Sequence, residues 1–206
     1  MVLFTVLTLM VDTHPSLAQS PKKGGVLRCG LAGDIKSLTP FKVGAISARV
    51  YANIYDTLLE LKPNGEIVPA LATSWETVDP THIRFHLRKG VKFHSGTPFD
   101  AETVKWNIED HLNPKNPGKP ASVLRLIKSV TVEDKYTVVI ETKYPYAPFT
   151  GLTTFVQAFS MRDPEMEKKL GRDEFGKRPS GTGPFKFKEW KLHQYVLLER
   201  NDDWWG

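Results

Sequence analysis

Apolar and polar positions alternate most cleanly at residues 81–88, where Ile83, Phe85 and Leu87 share one face and His82, Arg84, His86 and Arg88 the other. A period of two predicts a half-buried antiparallel strand. Short apolar runs at 58–61 and 66–68 flank Lys62-Pro63-Asn64-Gly65, a strong hairpin turn. Runs at 130–132 and 136–142 flank Glu133-Asp134-Lys135, and runs at 185–190 and 195–200 form a last hairpin. Residues 26–31 read as a further strand, closed by Gly33 and Asp34. Helical spacing takes over at Val50, Ile54, Leu58 and Leu61, which predicts a helix over 47–57 with Ser47 as its N-cap. Asp100 is placed to cap a second helix over 101–112, with Val104, Trp106 and Ile108 turned inward. Asp163 and Pro164 open a third, proline costing nothing in a first helical turn. Pro114, Pro117 and Gly118 make 113–119 a loop. Antiparallel hairpins interspersed with helices give an α+β, or mixed α/β, fold class.

The 206 residues can bury a sizeable core, and 40% hydrophobic with 25% charged residues is the balance of a globular chain. The net charge of +5 raises the question of an anionic partner. The 28 basic residues are interleaved with 23 acidic ones and form no basic stripe, so no nucleic-acid partner is expected. Residues 2–11 are apolar except for Thr5 and Thr8, too short to span a bilayer but suited to a signal-peptide core. Ser16, Leu17 and Ala18 place small residues for cleavage before Gln19, so 1–18 is expected to be a signal peptide, although no Lys or Arg precedes Lys22. Its removal takes away one acid, Asp12, and no base, raising the charge from +5 to +6. A single cysteine rules out an internal disulfide. Cys29 is expected to be a small buried hydrophobe, and Arg28 before it argues against lipid anchoring.

No catalytic constellation emerges. The chain has no nucleophile-elbow pattern, and Cys29 has no activating base beside it in sequence. Gly181-Thr182-Gly183 lacks the Gly-Lys-Ser/Thr of a phosphate loop and reads as a tight turn. His82 and His86 share a strand face with Arg84 between them, which reads as a solvated face and not a cation site. His94, His111 and His193 show no metal-ligand spacing. Glu109 and Asp110 are adjacent on a helix, point apart, and are expected on a solvated face. The chain is therefore expected to be a binding protein and not an enzyme, with no cofactor and no metal site.

Several motifs, in order, carry a resemblance. They are Gly24-Gly25-Val26-Leu27 with Asp34, Ser37, Leu38, Thr39 and Pro40; Val50 and Tyr51 with Ile54, Tyr55, Asp56, Leu58 and Leu59; and the region from Ala70 and Trp75 through Arg88, Phe93 and Phe99 to Asp100. Gly181 to Phe187, and Leu198 to Asn201 with Trp204, Trp205 and Gly206, complete the series. Together they resemble the family 5 solute-binding proteins, the extracytoplasmic receptors of peptide and nickel importers of the ATP-binding-cassette type. Thr39 stands where that family usually has an acidic residue before the proline.

The resemblance implies the N-terminal lobe of a type II periplasmic-binding-protein-like fold, incomplete without its second lobe. The first lobe would have a partial core sheet from 19–46 and 178–206 and a hairpin–helix part from 47–177, the second lobe being absent. It implies an exported, periplasmic receptor, monomeric if full length, that closes on a peptide and delivers it to a membrane permease. A truncated non-transporting remnant, or a receptor for nickel chelates or oligosaccharides, is the alternative. Two walls are expected to meet ligand: Val43, Ala45, Ile46, Ser47 and Ala48 before and within the first helix, and Phe155, Val156, Gln157 and Phe159 after Pro148. An extended peptide can pair with exposed backbone there, and Ser47 and Gln157 would supply polar groups in an apolar pocket. Each has a structural alternative: Ser47 as an N-cap, Phe155 and Phe159 as core.

Overall fold

A computed structural model describes residues 24–40, 44–115 and 122–206. The chain divides at Gly30 into two units. The described part of the first, residues 24–30, has neither helix nor strand. Val26 and Leu27 are exposed and so is Cys29, which corrects both the strand expected at 26–31 and the buried cysteine. An apolar run becomes a strand only where a hydrogen-bonded neighbour takes up its backbone groups, and alternation alone does not supply one. The expected signal peptide lies outside the described residues.

The second unit runs α1 (Ala45–Tyr51), β1 (Leu59–Leu61), β2 (Ile67–Pro69), β3 (Ala72–Asp79), β4 (His82–Leu87) and α2 (Ala101–Leu112). A 3₁₀ turn (Ser122–Leu126) leads into β5 (Ile127–Asp134) and β6 (Thr137–Thr142). Then come α3 (Phe149–Leu152), α4 (Val156–Phe159), α5 (Pro164–Leu170), α6 (Arg172–Phe175), β7 (Phe185–Lys191) and β8 (Tyr195–Arg200). The main sheet is antiparallel in the order β3-β4-β6-β5. β4 sits centrally, and its alternation holds: Ile83, Phe85 and Leu87 are buried, His82, Arg84 and His86 half-buried. Arg84 reaches Glu76 on β3 and Glu133 on β5, each at 2.7 Å, across the solvated face.

On the inner face α2 packs against β5 and β6. Asp100 accepts from the Thr103 N–H at 3.1 Å, the expected N-cap, a contact of about 1 kcal/mol. Val104 and Ile108 enter the principal core with Phe85, Phe93, Phe99, Val138, Ile140, Phe149 and Phe159. Trp106, expected inward, is only half-buried, and the Arg162 guanidinium lies 4.8 Å from its ring. Asp163 caps α5 through the Glu165 and Met166 N–H groups, both at 3.1 Å.

The first helix departs from expectation. It begins at Ala45 with Gly44 as N-cap, so Ser47 lies inside it, buried, and caps nothing. It ends at Tyr51 and not at 57. The Asn53 amide turns back onto the Arg49 carbonyl at 2.8 Å, while the Asn53 and Ile54 carbonyls accept from Phe185 N–H (3.0 Å) and Gly183 N–H (2.9 Å). These bonds tie the two residues that follow shortly after α1 to a loop far along the chain.

Candidate functional site

The two expected ligand walls lie on α1 and around α4. Ala45 is exposed and Ile46 half-buried against Ile35, Leu38 and Val50. Ser47 and Ala48 are buried, Ala48 among Tyr51, Ile54, Tyr55 and Phe175. Val43 lies outside the described residues. Phe155, the N-cap of α4, is 49% exposed, and Gln157 is half-buried. Val156 packs onto the same cluster as Ala48. Phe159 points the other way, fully buried and edge-to-face with Phe149 at 6.2 Å in the principal core. Ala48 and Val156 thus meet in one cluster that backs both walls, while Ala45 and Phe155 face outward from it. Tyr51 and Tyr55 fill this cluster with rings 6.2 Å apart, and burial pushes the Tyr51 hydroxyl up to about 12.

A carboxylate fixes the chain behind these walls. Asp56 accepts from the Trp205 indole at 2.7 Å, from the Thr182 hydroxyl at 3.0 Å and more distantly from Trp204. Its own carbonyl accepts from Met161 N–H at 3.0 Å, which ties the end of α4 to the segment after α1. Burial raises the Asp56 carboxyl above the usual range, and the indole and hydroxyl donors hold it part of the way back. The Arg88 guanidinium covers Trp205 at 4.3 Å.

Gly181 and Gly183 press on the Ile54 backbone. A Cβ at Gly183 would lie 2.7 Å from the Ile54 carbonyl, and one at Gly181 would overlap the Ile54 oxygen. The glycines here serve close packing, consistent with the reading of a turn and not a phosphate loop. His94 holds the loop from the opposite side. Its Nδ1 accepts from the Gly181 N–H at 3.3 Å, its Nε2 donates to the Gly183 carbonyl at 2.9 Å, and its own N–H donates to the Gly181 carbonyl at 2.8 Å.

Asp110 corrects the expectation of a solvated face. It pairs with Arg162 at 2.8 Å and with Arg172 at 2.7 Å, while Glu167 bonds the Arg162 guanidinium and lies 3.3 Å from Arg172. Arg162 is fully buried. Glu109, by contrast, is exposed and pairs with Lys105 at 2.8 Å, as a surface residue should. His94, Asp56 and Asp110 carry no local spacing signal, because their partners lie dozens of residues away.

A separate open groove of about 1180 Å³ runs along the β7–β8 hairpin, with Lys36, His94, Ser180, Lys186, Trp190 and Glu199 among its lining. None of the described candidate residues lines it. Among the described residues no group of three His, Cys, Asp or Glu side chains could hold a metal ion, and no helix is long and apolar enough to cross a membrane.

Comparison with known proteins places this geometry. The nickel-binding periplasmic protein of Escherichia coli K12 is 28% identical over 190 residues, covering 88% of this chain and 36% of the relative. Di/tripeptide-binding protein 4 of Pseudomonas aeruginosa is 32% identical, covering 79% of this chain and 35% of that protein. Among solved structures, the periplasmic binding protein DppA from Helicobacter pylori in complex with the peptide STSA superposes with a TM-score of 0.76 at 33% identity, covering 84% of this chain and 38% of that one. The chain thus spans about a third of the length of the relatives it matches. A family model described as "Bacterial extracellular solute-binding proteins, family 5 Middle" matches residues 66–206, well over half of the sequence. The chain belongs to the family 5 bacterial extracellular solute-binding proteins.

Proposed function

We propose that this chain forms the N-terminal part of an extracytoplasmic receptor that binds short peptides and delivers them to the membrane permease of an ATP-binding-cassette importer. The observation that carries the reading is the similarity to DppA in complex with a tetrapeptide, at 33% identity over 84% of the chain. The similarity to a di/tripeptide-binding protein points the same way. In this reading a second lobe closes over the ligand by hinge motion. Ala45, Ile46, Phe155, Val156 and Gln157 meet the ligand. Ser47, Ala48 and Phe159 support them from behind. Apolar side chains from two helical segments, with Gln157 as a polar group among them, favour a peptide whose side chains are read loosely. The chemistry is binding and release without bond-making.

The test is thermal shift on the complete translation product with di-, tri- and tetrapeptides, nickel–histidine and glutathione. A rise in Tm with peptides alone supports the reading. A second reading, a nickel-chelate receptor, is favoured by the similarity to the nickel-binding periplasmic protein. It predicts the rise with nickel–histidine instead.

A further inference from the structure

We infer that His94 is an acid-sensitive latch holding the Gly181–Gly183 loop against the segment that follows α1. Hydrogen-bond polarity assigns the protons. Nδ1 receives the Gly181 N–H at 3.3 Å and therefore carries no proton, while Nε2 faces a carbonyl, the Gly183 oxygen at 2.9 Å, and must carry one. Only one neutral tautomer satisfies both contacts. A second proton has to be placed on Nδ1, where it meets another N–H. The cation turns an attractive contact into a donor–donor repulsion and releases that side of the loop.

The surroundings favour the neutral ring. Partial burial and the Lys186 ammonium from β7 disfavour the cation, against the Gly183 carbonyl and the Asp163 carboxylate, which favour it; on balance the imidazole sits below its ordinary value. Asp163 is itself engaged by the Ser95 and Ser180 hydroxyls. On the far side of the loop the Asp56 carboxylate holds Thr182 at 3.0 Å. Lys36 lines the same groove as His94.

What the latch holds gives it consequence. The loop donates Gly183 N–H to Ile54 and is followed by the Phe185 N–H bond to Asn53, two contacts that anchor the segment just after α1. Releasing His94 loosens the support of α1, and with it a wall of the proposed ligand site. The latch itself does not depend on what the receptor binds, so its test uses no ligand.

The experiment follows the histidine ring nitrogens by NMR on the wild-type chain while amide exchange is measured, corrected for intrinsic rate, from about pH 7.5 to about pH 4.5. The latch predicts that protection of the Gly181, Gly183 and Phe185 amides falls about tenfold along the His94 titration, while Val138 and Ile140 in the main sheet keep theirs. His94→Gln, whose amide offers an acceptor oxygen and a donor nitrogen and does not titrate, should hold the loop at every pH. Loop amides that stay protected once His94 is doubly protonated would overturn the inference. So would a ring that remains neutral until the whole chain unfolds, or an equal loss of protection in the glutamine variant.

Discussion

Asn107 grips the backbone of Arg162 from both sides: its amide nitrogen donates to the Arg162 carbonyl at 3.0 Å, and its carbonyl oxygen accepts from the Arg162 N–H at 3.0 Å. A helix side chain here does the work of a neighbouring strand. The clamp fixes the residue whose guanidinium gathers Asp110 and Glu167 and lies over Trp106, so α2 and α5 are joined through one buried side chain, and Arg172 brings α6 to the same two carboxylates. Burial of this kind stabilises only while every partner is present.

Asn107→Ala strips two buried backbone groups of their partners and should cost about 2–6 kcal/mol, at roughly 1–3 kcal/mol for each orphaned group. Asp110→Asn removes the carboxylate that faces two arginines and should cost about 3–5 kcal/mol, because a buried charge left uncompensated is expensive. Urea denaturation monitored by tryptophan fluorescence checks both. Losses under about 1 kcal/mol, the range of exposed ion pairs, would mean that the cluster is solvated in solution.

The glycine loop makes a sharper contrast. Gly181→Ala places a Cβ into the Ile54 carbonyl, backbone that cannot swing aside, and should cost about 3 kcal/mol or more. Gly65, at φ +88 in the β1–β2 turn, has nothing within 4 Å of the position a methyl would take, so Gly65→Ala should cost only about 1 kcal/mol of backbone strain. Melting temperatures of the two variants should therefore differ clearly, with the first lower. Equal losses would show that the 181–183 loop does not press on the end of α1.

Stability should fall on mild acidification. Burial first, then the charges of Arg162 and Arg172, hold His111 well below the ordinary histidine value, 6.5. The unfolded chain takes up a proton near that value and the folded chain does not, so stability falls as pH drops below about 6.5 and keeps falling until the folded value is reached. Asp56 and Glu167 act oppositely. Burial raises both, so between the ordinary carboxylate range and their folded values the folded chain holds the extra proton and stability is regained as pH falls. Denaturation midpoints between about pH 7.5 and about pH 5 should decline in the wild type and decline less in His111→Gln. Identical slopes in the two proteins would speak against the assignment.

How much of this is legible in the sequence follows the range of the forces involved. The α2 helix is legible because its cap, Asp100, and its inward Val104 and Ile108 are local signals. The β4 strand is legible because alternation is local too, and Pro63, Asn64 and Gly65 mark the turn between β1 and β2. The path of the chain after α1 is not legible, because Asn53 and Ile54 take their hydrogen-bond partners from residues 185 and 183. Asp110 misleads for the same reason: its two arginines lie 52 and 62 positions further on. Phe155 and Phe159 are the same residue type four positions apart, yet one is half exposed and the other fully buried, a difference set by the turn into α4. Family membership is legible because it rests on many local motifs in order. Ligand contact requires knowing which side chains face outward together.

At the centre of the proposed function, Ala45 and Ile46 on one side and Phe155 to Gln157 on the other grip a peptide. Hydrogen exchange on the complete translation product, with and without a saturating di- or tripeptide, is the decisive check. New protection is expected at residues 44–48 and 155–157, with β3 to β6 unchanged. Peptide binding that leaves both segments unaltered, or that protects the β7–β8 groove instead, would refute it.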